Sequence, residues 1–576
     1  MSCFPSLRRL ALCCLCLVVS CGAVAAELAV RIEPRNNALR DNVVNHIGEL
    51  GDRNAGELMR YRAVAERQAA LALQALGYYT PDIRTRVEPG SPPRLVVEIR
   101  PGEPVRLREV ELRVEGPAAG QARFALPRDL LRQGQVLDHG RYESAKQAIL
   151  GQASRYGYFA GRFERQQLLI DPPALAADVH LVYRSGPRYR FGAVTFSRDQ
   201  PIDEDLLQRM VPFAPEAPYD AEQVDALNRD LLASGYFAAV SVDADPARAE
   251  GERIPVNVRL TPREPRTLGV GVGYSTDVGP RVRFEWERHW ANAQGHSYGT
   301  EIEVAAPRQN VALWYDIPRD PPLTDRLRLV GGYQYEELAD KDSLSRLLTV
   351  GPEWHHDFGN GWARVYSLKW QHEQYRLGDD SGVSTLLMPG VAYSLLRSDN
   401  RIDPNRGYRL SAALSAAKDG VLSDADLIHA ELGARGLLTL WERHRVLGRA
   451  QFGANWSGEY QAVPPSLRFF AGGDQSVRGY DYQTLAPTNA QGDHIGGRYQ
   501  FTSSLEYQYS LTRKWRLATF FDQGNAFDSL DFPTLKSSVG LGVRWVSPVG
   551  PIRVDVAHAL DGDGGFRLHF AVGPEL

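Results

Sequence analysis

Four places along the chain carry residue types that could do chemistry. Gly295-His296-Ser297-Tyr298-Gly299 has the G-x-S-x-G spacing of a nucleophile elbow, in which a serine attacks an acyl group. That chemistry needs a strand-to-helix turn and triad partners on an α/β sheet, and this run instead joins two strand-like segments at a turn. His355-His356 offers two imidazoles with no third ligand at metal spacing. Asp561-Gly562-Asp563-Gly564 resembles a fragment of a calcium loop but lacks its distal glutamate, and reads as a flexible turn. The fourth place is Val477-Arg478-Gly479-Tyr480, inside a Gly- and Pro-rich stretch from Gly458 to Gly497. Loops of that length are usually functional or disordered. If it folds inward, the fixed fork of Arg478 can bridge two carboxylates, and Glu506 and Asp522 follow on the polar faces of later strands. The alternative is an outward loop with a solvated arginine. With no phosphate-binding loop either, neither enzymatic activity nor a cofactor is expected, and Arg478 is read as a structural tether.

The elements that must position this arginine have a period of two. Leu268, Val270, Val272 and Tyr274 alternate with Gly269, Gly271, Gly273 and Ser275, and Val539, Leu541, Val543 and Trp545 alternate with Ser538, Gly540, Gly542 and Arg544. One apolar, aromatic face and one polar face suit a lipid-facing wall around a wet lumen. A soluble sandwich gives the same alternation, and the leader described below together with the number of segments favours the barrel. Sixteen segments are counted, starting near Thr267, Arg281, Ser297, Val311, Arg326, Ser345, Trp362, Ser384, Tyr408, Ala425, Arg445, Arg498, Trp515, Leu535, Pro551 and Phe566. An even number puts both ends on one side, with short turns there and the long loop opposite.

Before the barrel, one signature recurs: Gly77-Tyr78-Tyr79, Gly157-Tyr158-Phe159 and Gly235-Tyr236-Phe237, at intervals of 80 and 78 residues. Each follows a helical run and precedes a strand, so the spacing marks tandem copies of one small domain. The glycine suits a helix C-terminus, and the aromatics are expected to begin the next strand and pack back on the helix. Each unit reads strand, helix, helix, strand, strand. The second includes a short helix at Arg128–Gln133, and the third a capping box of Asp220 with Gln223. The fold class is therefore α+β modules followed by an all-β, sixteen-stranded transmembrane antiparallel barrel. Its expected divisions are a leader (1–26), modules at 27–102, 103–187 and 188–265, and a barrel at 266–576.

The leader reading rests on Arg8 and Arg9, the apolar run Leu10–Val19 and the small residues Ala23, Ala25 and Ala26, a secretory pattern too short for a permanent span. Val18-Val19-Ser20-Cys21 offers a lipoprotein-type alternative. All five cysteines lie inside it, so the processed chain is expected to have no disulfide and no thiolate chemistry. Removing its two arginines from 66 basic residues leaves 64 against 70 acidic ones, a charge of −6. That balance gives no support to a nucleic-acid partner.

The βααββ order with its Gly-Tyr-Phe signature resembles the POTRA (polypeptide-transport-associated) domain. Val477-Arg478-Gly479-Tyr480, then Phe521-Asp522-Gln523-Gly524-Asn525 two strands later, with Glu506 between, resemble the BamA-like outer-membrane assembly superfamily. So do the turn Asp399–Tyr408 and the tail Gly573-Pro574-Glu575-Leu576. Three modules are similar to the TamA branch of that superfamily, against five in BamA and two in two-partner secretion transporters. The resemblance implies a protein of the outer membrane with its modules in the periplasm, assisting assembly and secretion of autotransporters and other β-barrel proteins. It also implies unfolded outer-membrane clients, a TamB-like partner anchored in the inner membrane, contact with outer-membrane lipid, and the BamA machinery as a further partner.

Three other functions remain in view: a two-partner-type pore exporting a soluble client, a general assembly factor of the BamA type, and a passive porin. A client-binding arm disfavours the porin. A three-stranded sheet with helices on one face leaves an edge open to an extended chain; rigid spacers are the other reading. At the closure, the first strand carries Gly269, Gly271 and Gly273 and the last ends at Gly573 and Pro574. Glycine weakens strands and proline cannot donate to a ladder, so this seam is expected to open laterally. Alternatively the glycines make room for the lumen loop.

Overall fold

The computed structural model describes residues 25–337, 343–378, 380–400, 403–531, 534–547, 550–561 and 565–572. The expected leader, apart from its last two residues, therefore lies outside the described residues, as do Gly573 and Pro574. The chain divides into two compact units: 1–193 with 215–223 and 245–255, and 194–214, 224–244 and 256–576.

The first module consists of β1 (Glu27–Ile32), α1 (Asn37–Ile47), α2 (Ala55–Ala75), β2 (Asp82–Glu88) and β3 (Arg94–Arg100). Its sheet order is β1-β3-β2, with β3 central. Leu58, Ala65, Ala69, Ala72 and Leu73 of α2 form one buried stripe over Leu95, Val97 and Ile99 of β3. Asn54 and Glu57 cap α2 reciprocally.

The second module has β4 (Arg106–Glu115), α3 (His139–Arg155), β5 (Arg162–Asp171) and β6 (Ala176–Arg184), in the order β4-β6-β5. The helix expected at Arg128–Gln133 is absent; these residues form turns. Six residues between Pro127 and Gly134 are too few to offset the cost of nucleating a helix. The third module has β7 (Arg190–Phe196), α4 (Glu204–Gln208), α5 (Ala221–Ala233), β8 (Phe237–Asp243) and β9 (Arg253–Pro262), in the order β7-β9-β8. Asp220 caps α5 through the Glu222 N–H at 3.0 Å, one residue short of the expected capping box.

The recurrent glycine does two jobs. In α2 and α3 the N–H of Tyr78 donates to Leu73 O and that of Tyr158 to Ala153 O, while Gly77 and Gly157 hold φ of +92° and +79°. This is a Schellman termination. The same glycines accept at their carbonyls from the next module, Val105 N–H to Gly77 O and Tyr189 N–H to Gly157 O, both at 2.8 Å. The second aromatic packs forward rather than back on its helix. Phe159 meets Tyr189 and Tyr219 at 5.5 and 5.1 Å, and the Tyr79 hydroxyl lies 2.6 Å from His139 Nε2.

The sixteen remaining strands form one antiparallel sheet in sequence order. They are β10 (Arg266–Ser275), β11 (Gly279–Arg288), β12 (Ser297–Ala305), β13 (Arg308–Pro318), β14 (Asp325–Glu337), β15 (Leu344–Asp357), β16 (Trp362–Leu377) and β17 (Asp380–Ser398). Then follow β18 (Arg406–Ala417), β19 (Leu427–Leu440), β20 (His444–Trp456), β21 (Tyr499–Ser510), β22 (Trp515–Phe527), β23 (Lys536–Ser547), β24 (Gly550–Ala559) and β25 (Phe566–Val572). Leu268, Val270, Val272 and Tyr274 are exposed on the outer face, whereas Glu506, Arg544 and Asp555 are buried inside. The outer face is thus apolar and the interior charged, the arrangement of a membrane-spanning barrel.

Candidate functional site in the barrel lumen

The long loop, residues 457–498, returns into the lumen, and Arg478 is 4 % exposed. Its Nε and Nη2 donate to the two oxygens of Asp522 (β22) at 2.7 and 2.9 Å. Nη1 donates to Glu506 (β21) at 2.8 Å and to Asp555 (β24) at 3.0 Å. The guanidinium carbon lies over the Phe520 ring, 3.3 Å from its centroid. One cation cannot balance three buried carboxylates. Arg544 (β23) donates to Glu506 at 2.8 Å and pairs with Asp555, and Arg449 (β20) lies 3.7 Å from Asp522. Three arginines thus face three carboxylates, and such pairing is the condition under which buried ions are tolerated.

The rest of the motif is docked around this cluster. Gly479 has φ of +94°, and a Cβ there would meet Ser538 and the Ala559 backbone at 3.2 Å. Its N–H donates to His569 Nε2 of β25 at 2.9 Å. The Tyr480 hydroxyl donates to Ser537 O or Asp561 O, at 3.2 and 3.1 Å, and Val477 is buried against Ala471 and Leu485. The structure therefore brings together Arg478, Glu506 and Asp522 with Val477, Gly479 and Tyr480. It adds Arg544, Asp555, Arg449 and His569, which the sequence reading did not single out. A signal was present, since Asp555 alternates with Val554 and Val556 as a polar residue on the lumen face.

Gly269, Gly271 and Gly273 lie elsewhere, on β10, opposite Glu285, Arg283 and Arg281 of β11. A Cβ at Gly273 would approach Arg281 Nε to 2.8 Å, so the glycine face accommodates long charged neighbours. Among the described residues β10 and β25 share no ladder. They are joined by Thr276 N–H to Phe570 O at 3.4 Å, Phe570 N–H to Thr276 Oγ1 at 3.2 Å, and an edge contact of Tyr274 with Phe570. Beside this closure, in the turn after β10, burial and the neighbouring Asp474 carboxylate push the Asp277 carboxyl up to about 7.

A second insert enters from the opposite end. Asp403, in the turn between β17 and β18, accepts from Arg516 at 2.9 and 2.6 Å and from Arg445 at 3.2 Å. Burial opposes its ionisation, but the two arginines outweigh that and hold its carboxyl below the usual aspartate range.

The other chemical candidates are absorbed by the fold. Ser297 opens strand β12 with no helix after it, and the preceding turn is held by the third module, Tyr236 Oη donating to Gly295 O at 2.7 Å. His355 and His356 lie beside different carboxylates, Glu353 and Asp325. Residues 562–564 of the aspartate-glycine run lie outside the described residues.

A family model for the Omp85 superfamily domain matches residues 261–575. The chain belongs to the Omp85 superfamily. Models described as "POTRA domain TamA domain 1" and "Surface antigen variable number repeat" match residues 29–101 and 189–263. The chain is 24 % identical over 410 residues to the outer membrane protein assembly factor BamA of Neorickettsia risticii, covering 66 % of this chain and 54 % of that protein. To the BamA of Nitratidesulfovibrio vulgaris it is 25 % identical over 429 residues, covering 70 % and 53 %. It thus spans about half the length of these relatives. The crystal structure of BamA from Haemophilus ducreyi lacking POTRA domains 1–3 shares its fold, at a TM-score of 0.68 and 15 % identity over 81 % of this chain and 99 % of that one. As an Omp85 barrel, it spans the outer membrane with its POTRA domains in the periplasm.

Proposed function

We propose that this Omp85 protein is a TamA-type insertase that assists autotransporters and other β-barrel clients into the outer membrane. The observation that carries the reading is the closure of the barrel, where β10 and β25 lack the ladder that joins every other neighbouring pair among the described residues. A strand edge in lipid has unsatisfied N–H and C=O groups, each costing several kcal/mol, and a client strand can satisfy them. Client folding then supplies the driving force, and no covalent bond is made or broken. The POTRA edges β2, β5 and β8 offer further sites for extended chains, whereas β4 and β7 are paired at their starts by residues 134–137 and 216–219. Three modules, the first matching a TamA domain, support the TamA branch and with it a TamB-like inner-membrane partner.

The test uses the absence of cysteine after residue 21. Cysteine pairs scanned along Gly269–Gly273 and Leu568–Val572 should include one that cross-links. Oxidising it should stop client insertion while the barrel stays folded, and reduction should restore it. Full insertion through a quantitatively locked seam overturns the reading. A BamA-type general assembly factor is the second reading, favoured by the similarity to BamA assembly factors. Capture of a TamB-like protein from cross-linked cells separates the two.

A further inference from the structure

On the extracellular side, three segments far apart in sequence converge beside the closure: the turn after β10 with Asp277, the lumen loop with Asp474, and β25 with His569. One ligand atom from each lies within 4.8 Å of the others. Asp474 is 7 % exposed and His569 6 %. Oδ1 of Asp474 accepts from Thr276 Oγ1 at 2.7 Å and lies 2.5 Å from His569 Nδ1. Among the described residues its Oδ2 is buried with no hydrogen-bond donor, and a buried acceptor left unsatisfied is destabilising. Asp277 brings a second carboxylate, whose Oδ2 accepts from the Asp474 N–H at 2.8 Å. Two carboxylates and an imidazole suit Zn²⁺ and related first-row ions.

We propose that Asp277, Asp474 and His569 form a binding site for a divalent first-row cation such as Zn²⁺, which ties the first strand, the lumen loop and the last strand together. The tautomer of His569 gives the site a consequence. Gly479 N–H donates to Nε2, so in the metal-free protein the ring proton sits on Nδ1, facing Asp474. A cation at Nδ1 needs that lone pair. The neutral ring keeps one proton, which moves to Nε2 and there meets the Gly479 N–H donor to donor. Cation binding therefore displaces Gly479 from β25, while the Arg478 fork to Asp522 is untouched. The site would strengthen the closure and loosen one anchor of the loop in the same event.

The inference is independent of the insertase reading, because it is tested without client or partner. The full processed chain, refolded in detergent and stripped with EDTA, is titrated with Co²⁺ and then Zn²⁺. Wild type should develop the visible absorption of a low-symmetry Co²⁺ site at one equivalent, reversed by Zn²⁺. Asp474→Asn and His569→Gln should lose it, with Asp277→Asn as the variant least able to disturb folding and heat-modifiable gel migration as the folding check. Equal absorption in wild type and every folded variant overturns the site, as does its absence from wild type. Amide exchange at Gly479 should accelerate with Zn²⁺. Unchanged exchange in a protein that binds the ion overturns the coupling.

Discussion

Two stretches of the same barrel wall are built on opposite plans. From β20 to β24 the strands are joined by continuous ladders, and across their lumen face run three arginines and three carboxylates. Among the described residues, between β10 with its following turn and β25 the backbone contributes one long hydrogen bond, assisted by one hydroxyl and one aromatic contact. One loop reaches both places, through Arg478 on the strong wall and Asp474 at the weak closure. The difference teaches that closure of this sheet is not uniformly a backbone property. Where the ladder stops, side chains from the loop take over, and such contacts can be exchanged one at a time.

The largest expected effect breaks the strong wall. Arg478→Ala leaves an unbalanced set of buried carboxylates and should destabilise the barrel by about 3–5 kcal/mol, read from denaturant unfolding in micelles. Arg478→Lys should do less damage but not be neutral, because an ammonium lacks the bidentate fork. Asp522→Ala should resemble Arg478→Ala. The double variant should fall short of additivity by roughly 0.5–3 kcal/mol; strict additivity would mean that the two groups do not act together.

A second experiment compares the two regions directly. Amides of Leu268–Tyr274 and Leu568–Val572 should exchange with deuterium well before those of Leu505–Tyr509, since local opening follows the least-bonded elements. Equal protection would remove the contrast. In the modules, Gly157→Ala should destabilise by more than the roughly 1–2 kcal/mol of a left-handed residue, because its Cβ would also meet Tyr219 Cβ at 2.8 Å. Gly235→Ala has the same φ of +79° but open space around it and should show the conformational penalty alone. The last effect is one on pH dependence and concerns the periplasmic insert. The Asp403 carboxyl is held low in the folded state, so its contribution is present above the ordinary aspartate range and disappears as pH falls through the folded value. Asp403→Asn should flatten that acid limb of the stability profile and leave the neutral-to-basic limb parallel to wild type.

The strands were legible in the sequence because each side chain's environment is set by alternation, a local property. All sixteen segments are present, with starts within a few residues of those expected for all but one of them. Strand β17 extends to Asp380, four residues before the expected start at Ser384. The signature glycines were legible as helix ends for the same reason, since a left-handed C-terminal residue is a local demand. Their second role, accepting from the following module, was not, because it depends on where Val105 and Tyr189 arrive. The missing helix at Arg128–Gln133 shows the converse: composition favoured a helix, and the chain between Pro127 and Gly134 was too short to nucleate one.

The sequence by itself determined three small α/β modules, the sixteen-fold alternation and the presence of an arginine able to grip two carboxylates. Only the tertiary structure decided that it grips three, that Arg544 and Arg449 complete the balance, and that Asp277, Asp474 and His569 meet at the closure. Period and propensity act between residues a few positions apart. The pairing of charges across 44 or 77 residues depends on strand register and on which way a long loop folds. Those are settled by closing the sheet, when a buried charge must find its partner or remain uncompensated.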